Sequence, residues 1–494
     1  MTEQQHAITT DIGPAISVSK VSFQYRTGDV PALNDVSFQL SPATCTLVRG
    51  ESGSGKTTLC YCLKGLIPQA VEGDFSGQLE IAGMDVTKYR IQTLSRHIGF
   101  VLQDPEVQIV GRNVYEDLIF GPRNLLIAKE TIVSDFPSVL QAVGLEGYEG
   151  RETYQLSGGE KQRLAIAGVL LMKPQVLILD EPSSELDPAG RRNLYDLLLK
   201  LKREEGLSLV IVDQQLPTSH PLVDEVLFLK DGELKEADSI GECSVPCTLP
   251  PVLSSNEAPT VLTVENLSFA YRPETPVLKN ISMEIRQQDF LALVGHNGSG
   301  KTTLAMHLNR LLKPQKGTVS YQKKSLEKFS RAEIARSIGF VFQNPDHQIF
   351  ETSVEKEIAF GLVQQGINTK EIKKKVEEVL GFMALEDYRD HHPATLPKGI
   401  RQFISVASIV ALSPEILVVD EPTTGLDTKG KEIILSRLRE LNDRGTAIVM
   451  ITHDMELVRE HCSRLLLLEQ GEIKVNMSTA SALQSIEFKD FIGR

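Results

Sequence analysis

Cysteine is scarce in this 494-residue sequence, at Cys45, Cys60, Cys62, Cys243, Cys247 and Cys462, and so low a density excludes a disulfide-built scaffold. Cys243-Ser-Val-Pro-Cys247 has no second pair or nearby histidines to complete a metal site, which favours incidental thiols. Long apolar runs are missing too. The nearest to one, Val169-Leu-Leu-Met-Lys-Pro-Gln-Val-Leu-Ile-Leu179, is short and broken by Lys173 and Pro174. No membrane-spanning helix is expected, so any membrane role needs a separate chain. Basic excess is also absent: 52 Lys and Arg stand against 65 Asp and Glu, a net charge of −13. That argues against a broad nucleic-acid footprint and leaves only a local basic patch open. With no secretory signal ahead of the first motif, the chain is expected on the cytosolic side.

What is present is present twice. Gly50-Glu-Ser-Gly-Ser-Gly-Lys-Thr57 recurs as Gly295-His-Asn-Gly-Ser-Gly-Lys-Thr302, and Val176-Leu-Ile-Leu-Asp-Glu-Pro182 recurs as Ile416-Leu-Val-Val-Asp-Glu-Pro422. A near-constant shift between the copies means a whole domain is repeated, as the length alone suggests. The expected division is a first domain over 15–237, a Pro- and Ser-rich linker over 238–260, and a second domain over 261–494. Apolar runs enter the glycine-rich loops, and amphipathic stretches such as 191–202 follow the second apolar run. Strands alternating with helices predict an α/β fold with a parallel sheet.

The glycine-rich stretches fit G-x-x-x-x-G-K-[ST], the phosphate-binding loop. Backbone N–H groups across Gly50, Glu51, Ser52, Gly53, Ser54, Gly55, Lys56, Thr57 and Thr58 would surround phosphates, as would those of Gly295, His296, Asn297, Gly298, Ser299, Gly300, Lys301, Thr302 and Thr303. In that pattern the lysine meets the β and γ oxygens of ATP and the hydroxyl of Thr57 or Thr302 holds Mg²⁺. Each later apolar strand ends in a carboxylate pair. Asp180 and Asp420 are placed to hold Mg²⁺, and Glu181 and Glu421 to polarise a water in line with the γ-phosphate. Asp-Glu-Pro is also ordinary turn chemistry, and it is the paired phosphate loop that decides for catalysis.

Between loop and carboxylates lies Leu156-Ser-Gly-Gly-Glu-Lys-Gln162, which resembles the signature of ATP-binding cassette (ABC) ATPases. The resemblance covers nearly the whole chain in two copies. It implies two tandem P-loop NTPase domains, each a parallel-sheet core with an antiparallel β part and a helical subdomain. It further implies that Tyr25 and Tyr271 stack on adenine, and that Gln103 and Gln343 link Mg²⁺ and the attacking water to the helical subdomain. Ser157, Gly158 and Gly159 match the signature, His453 matches the histidine that contacts the γ-phosphate, and 183–187 and 423–427 match the loop after the catalytic glutamate.

The copies differ at two places. Gln214 stands where the second half has His453, and the second signature reads Leu396-Pro-Lys-Gly-Ile-Arg-Gln402. Proline removes a hydroxyl and an N–H, and Lys398 adds a side chain where backbone should approach phosphate. Cassettes of this family pair head to tail, each phosphate loop facing the partner's signature. Pairing of the two halves would then put both losses in the site of Lys56, Asp180, Glu181 and Gln214. Lys301, Asp420, Glu421 and His453 would face the intact signature. One hydrolytic and one nucleotide-holding site are expected.

Gln103-Asp-Pro-Glu-Val-Gln108-Ile-Val110 and Gln343-Asn-Pro-Asp-His-Gln348-Ile-Phe350 share a further pattern. It resembles the glutamine-containing helix of energy-coupling factor (ECF) importers, whose ATPases lie under a transmembrane coupling subunit served by a small substrate-binding membrane subunit. Ile109, Val110, Ile349 and Phe350 would be the apolar anchor of such a socket, or would pack beneath the helical subdomain. Among these importers, fused two-cassette chains are similar to the hydroxymethylpyrimidine/thiamine import ATPases of bacilli, which implies a peripheral protein on the cytoplasmic face of the cell membrane. A cobalt, nickel or other vitamin importer stays open, as does a soluble twin-cassette ATPase acting on ribosomes or DNA. Acidic charge, the short linker and the doubled glutamine pattern count against the last, and a twin-cassette sugar importer lacks that pattern.

Overall fold

The computed structural model describes residues 13–26, 30–51, 53–184, 186–235, 258–426 and 428–493, which divide into two compact units, Met1–Cys243 and Ser244–Arg494. Most of the expected linker, with Cys243 and Cys247, lies outside the described residues. Its last position, Thr260, already opens a strand. The four described cysteines are buried free thiols, and among the described residues no helix is long and apolar enough to cross a membrane.

The first unit contains β1 (Ile16–Tyr25), β2 (Leu33–Leu40), β3 (Cys45–Arg49), β4 (Gly73–Ile81), β5 (Met84–Asp85), β6 (Ile98–Val101), β7 (Val176–Asp180), β8 (Ser208–Val212), β9 (Glu225–Lys230) and β10 (Glu233–Lys235). They form an antiparallel sheet ordered β2-β1-β4-β5 and a second sheet ordered β10-β9-β3-β8-β7-β6. The latter is parallel apart from its edge hairpin β9–β10. Burial explains the sequence pattern of each. β2 alternates buried with exposed residues because one face is covered. β7 and β8 are buried throughout because both faces are covered. Along β7, Val176 and Ile178 enter the core shared with the antiparallel sheet, while Leu177 and Leu179 enter the core beneath the helices, the period of two that a strand imposes.

The second unit repeats the plan. Its strands are β11 (Thr260–Arg272), β12 (Thr275–Arg286), β13 (Phe290–Val294), β14 (Lys316–Tyr321), β15 (Lys324–Ser325), β16 (Ile338–Val341), β17 (Ile416–Asp420), β18 (Ala447–Ile451), β19 (Arg464–Glu469) and β20 (Glu472–Ser478). The sheet orders are β12-β11-β14-β15 and β16-β17-β18-β13-β19-β20. Between β6 and β7 lie helices Val114–Asn124, Lys129–Val143 and Gly158–Leu170. Between β16 and β17 lie Val354–Gln364, Thr369–Met383 and Lys398–Val410. These are the expected helical subdomains. In each large sheet the strand feeding the glycine-rich loop lies beside the strand that leads to Gln214 or His453, which in turn lies beside the strand ending in the Asp-Glu pair, so three parallel carboxyl ends share one edge of the sheet. Open α/β sheets place ligands at such strand ends.

Candidate functional site

Both glycine-rich loops adopt one conformation. Gly50, Gly53 and Gly55 have φ of 155°, 78° and 100°, and Gly295, Gly298 and Gly300 have 156°, 78° and 101°. A Cβ on Gly50 would stand 2.0 Å from the Leu229 carbonyl oxygen, and one on Gly295 would stand 2.1 Å from that of Leu468. The loop is thus pressed against the next strand's turn, and only glycine fits. Lys56 Nζ donates to the Gly50 and Glu51 carbonyls at 2.8 and 2.7 Å, and Lys301 Nζ to those of Gly295 and His296 at 2.7 and 3.0 Å. The hydroxyls of Ser54 and Ser299 are buried without a hydrogen-bond partner among the described residues. A buried polar group left so in both copies marks a place where a ligand is expected. Helices Lys56–Lys64 and Lys301–Leu308 begin at the lysines, so their free N–H groups face the loops. Glu51, Asn297 and Gly298 are exposed, and the His296 ring lies 4.7 Å from that of Phe491. Ser52 lies outside the described residues.

The carboxylates stand beside these loops. Thr302 Oγ1 donates to Asp420 Oδ2 at 2.7 Å, and Thr57 is hydrogen-bonded to Asp180 in the same way. Burial pushes the Asp420 carboxyl up to about 6, against the opposing Thr302 hydrogen bond and with Glu421 adding to the rise. Burial likewise raises Asp180. Glu181 and Glu421 follow at φ 46° and 47°, a left-handed conformation costly for a side-chain-bearing residue and concentrated at functional sites. Their N–H groups donate to Val212 and Ile451 at 2.8 and 3.0 Å, which holds the turn.

Here the halves part. Gln103 Nε2 donates to Glu181 Oε2 at 2.9 Å. Its counterpart Gln343 is exposed and makes no hydrogen bond among the described residues, whereas His453 Nδ1 lies 2.9 Å from Glu421 Oε1. Gln214, in the histidine's place, donates to the Gly50 carbonyl at 2.6 Å. The glutamine therefore braces the phosphate loop and leaves the glutamate to Gln103.

Tyr25 and Tyr271 lie beside the loop helices, with hydroxyls 3.0 Å from Thr58 Oγ1 and 3.4 Å from Thr303 Oγ1. Within the first unit, Ser157, Gly158 and Gly159 make no hydrogen bond to the Lys56 loop or its carboxylates among the described residues. They form the start of helix Gly158–Leu170, where Ser157 and Glu160 make a reciprocal capping box. Pro397 caps the equivalent helix with no side-chain hydrogen bond. Glu185 and Asp427, in the loops after the glutamates, lie outside the described residues.

The two glutamine segments are held from within. Gln108 Oε1 accepts from Leu102 N at 3.0 Å, and Gln348 Oε1 from Phe342 N at 3.3 Å. Both amides thus brace the backbone of their own segments. Ile109 and Ile349 pack against the cores, leaving Val110 and Phe350 exposed, together with Val107. Sequence reasoning also missed the carboxylates that shape these turns. Asp117 accepts from the N–H groups of Val110 and Gly111 at 2.8 and 2.9 Å, and Glu357 from those of Phe350 and Glu351 at 3.0 and 2.8 Å. An acid in the first turn of the next helix in both repeats was the available signal. Buried Asp213, which receives the N–H groups of Gln215 and Leu216 at 2.6 and 3.2 Å, was missed because its counterpart is Thr452.

Comparison with known proteins agrees with this geometry. The ABC transporter family matches residues 33–184 and 278–424. A Methanosarcina mazei protein provisionally named an ABC transporter ATP-binding protein is 35% identical, over 98% of this chain and 92% of its own. A Bacillus subtilis protein, provisionally named the HMP/thiamine import ATP-binding protein YkoD, is 33% identical, over 94% and 92%. Among solved structures, cbiO1 from Clostridium perfringens, described as part of the ABC transporter complex cbiONQ, is 31% identical with a TM-score of 0.43, covering 46% of this chain and 92% of that one. With two phosphate loops, two Asp-Glu strand ends and relatives of this kind along its length, the chain belongs to the ABC transporter family as a tandem ATP-binding component, an ATPase coupled to transport across a membrane.

Proposed function

We propose that this ATPase is the energy-coupling subunit of an ECF-type importer, held at the cytoplasmic face of the cell membrane by a transmembrane coupling subunit and a small substrate-binding membrane subunit on separate chains. The cargo is a vitamin or vitamin precursor, with hydroxymethylpyrimidine or thiamine first. The doubled glutamine pattern and the name given to the Bacillus subtilis relative support this reading. Exposed Val107, Val110 and Phe350 supply apolar surface for the coupling subunit.

In this reading the two cassettes close on ATP. Tyr25 and Tyr271 lie against adenine, each loop's N–H groups and lysine hold the phosphates, and Ser157, Gly158 and Gly159 complete the site of the other half. Thr57 with Asp180, and Thr302 with Asp420, form oxygen donor sets that suit Mg²⁺, joined by Gln103 or Gln343. A carboxyl that burial has raised to about 6 beside a hydroxyl fits a divalent cation, which would restore its charged form. When bound, Mg²⁺ supplies neutralisation of phosphate charge. Glu421 orients and deprotonates the attacking water, and His453 fixes the carboxylate. Glu181 is held by Gln103 instead, in a site where hydrolysis is slow. Closure, hydrolysis and reopening move the segments after Gln103 and Gln343.

The observation that carries the asymmetry is the His453–Glu421 contact of 2.9 Å set against Gln214 bonded to the phosphate loop. Steady-state ATP hydrolysis by Glu421→Gln and Glu181→Gln tests it. The first should lose about 10² to 10⁴-fold, the range for a positioned acid–base group, and the second should keep most of its rate. Equal losses would overturn the asymmetry. Affinity purification in mild detergent from the protein's own cells, followed by mass spectrometry, tests the importer. A transmembrane protein with a small hydrophobic companion is expected. Ribosomal or DNA-associated proteins without membrane chains would refute the importer.

A further inference from the structure

The second signature, Leu396-Pro-Lys-Gly-Ile-Arg-Gln402, has lost the serine, one glycine and the glutamate of the first, yet keeps a cation at Arg401 where the first has Lys161. A carboxylate recurs as well, Glu106 in one glutamine segment and Asp346 in the other. The structure joins these recurring charges in both units. Lys161 Nζ pairs with Glu106 Oε1. Arg401 Nε lies 3.0 Å from Asp346 Oδ1, and its Nη2 donates to Oδ2 at 3.2 Å. The cations are sheltered, at 17% and 19% side-chain exposure, and the carboxylates open, at 60% and 52%.

Each cation sits in the opening turns of its helix, Gly158–Leu170 or Lys398–Val410. The helix dipole disfavours positive charge there, so helix stability does not account for a cation kept at this position in both repeats. Each carboxylate sits in the turn that carries the exposed apolar residues, Val107 and Val110 in the first unit and Phe350 in the second. The second unit adds another tie. Gln348 Nε2 donates to the Ser405 carbonyl at 2.7 Å and to Ser408 Oγ at 3.1 Å, both on helix Lys398–Val410. The first unit has Ala165 and Gly168 at those positions, and Gln108 Nε2 turns to the Phe100 carbonyl of β6 at 3.3 Å.

We propose that Lys161–Glu106 and Arg401–Asp346 are positioning pairs that transmit movement of the signature helix to the exposed apolar turn of the same cassette. The second signature helix is retained for this task after its nucleotide-facing residues have changed. The pairs are half-exposed, so their contribution to stability is modest. Their importance lies in directing motion within each unit rather than in stability. The inference rests on the proposed nucleotide-driven closure, and the following experiment separates the two.

Hydrogen exchange of the full chain is measured with and without Mg²⁺ and a non-hydrolysable ATP analogue. The variants are Glu106→Lys, Lys161→Glu and their double exchange, and likewise Asp346→Arg, Arg401→Asp and theirs. In the unaltered chain, nucleotide should change exchange in both phosphate loops and at 105–111 and 345–351. Each single variant should lose the change in its own segment while nucleotide affinity, read by a fluorescent analogue, stays within about threefold, an allowance of about 0.6 kcal/mol. The exchanged pair should regain the response, which a merely structural role would not require. Persistence of the response in the single variants would overturn the proposal, as would failure of both double exchanges to restore it. A response in the loops without any in the segments would overturn it while sparing closure. Absence of response in the loops would overturn both.

Discussion

The buried aspartate at the end of β17 gives a prediction with a definite sign. Asp420 is 3% exposed, and burial raises its carboxyl from an ordinary 3.8 to about 6. Below about pH 4 both the folded and the unfolded chain carry the proton, and the group does not discriminate between them. Between about pH 4 and 6 the unfolded chain has released a proton that the folded chain still holds, so every rise in pH favours unfolding. Above about pH 6 the folded state has lost roughly 3 kcal/mol, from about 1.4 kcal/mol per unit over a gap of about two units. Asparagine has the same shape and no charge. Asp420→Asn should therefore match the unaltered protein near pH 4 and exceed it by up to about 3 kcal/mol at pH 7, or about 6–12 °C for a domain of this size.

Thermal and urea melts of the full chain in EDTA, without nucleotide, at pH 4.5 and pH 7, measure this difference. Asp180→Asn serves as the internal comparison. Burial alone raises that carboxyl, without the added Glu421-type repulsion, and its gain should be smaller. A gain of the same size at both pH values, or none at pH 7, would refute the burial of charge as the cause. Addition of Mg²⁺ and ATP should reverse the order, because the carboxylate then has its cation and the asparagine has none.

Glu357→Ala should leave the Phe350 and Glu351 N–H groups without their acceptor, costing about 1–3 kcal/mol and speeding exchange at those two amides before others. Gly295→Ala should abolish nucleotide binding by the second unit, since the added Cβ meets a backbone oxygen at 2.1 Å. Gly298→Ala has nothing within 4 Å and only its φ of 78° to bear, so it should cost about 1–2 kcal/mol and retain binding, as equilibrium nucleotide titration will show. Ser157→Ala removes one side of the capping box and should lower the stability of the first unit by about 1 kcal/mol in a denaturant melt.

Periodicity and motif spacing revealed the two α/β repeats because covered strands must read as apolar runs, and Val176–Asp180 and Ile416–Asp420 do. The phosphate loops were legible for a similar reason: a backbone that tolerates no Cβ at Gly50 or Gly295 writes glycine into the sequence. Less legible was the direction of side chains. No spacing shows that Gln108 and Gln348 turn back to accept from backbone N–H groups, or that Ile109 and Ile349 pack inward while Val110 and Phe350 stay exposed. The different partners of Glu181 and Glu421 were equally hidden. Gln103 and Gln343 are the same residue in equivalent positions, yet Gln103 bonds Glu181 while His453 is the residue beside Glu421 and Gln214 bonds the Gly50 carbonyl.

That difference points to how the halves have diverged. The features each unit needs for its own geometry recur almost unchanged: the φ values of the loop glycines, the left-handed glutamate, the carboxylate under the exposed turn, the cation pairing with the glutamine segment. Changes fall on residues whose proposed work lies outside their own unit or on nucleotide, namely Ser157 to Pro397, Gly158 to Lys398 and His453 against Gln214. Gln214 compensates locally by bracing the Gly50 carbonyl, which Lys56 also holds. A loop held by two donors is better fixed and less free to respond. In the proposed reading such a unit holds nucleotide between cycles, while its counterpart, with His453 beside Glu421, orients water. In the proposed reading the difference between the sites is one of chemistry, and the ion pairs within each cassette recur in both.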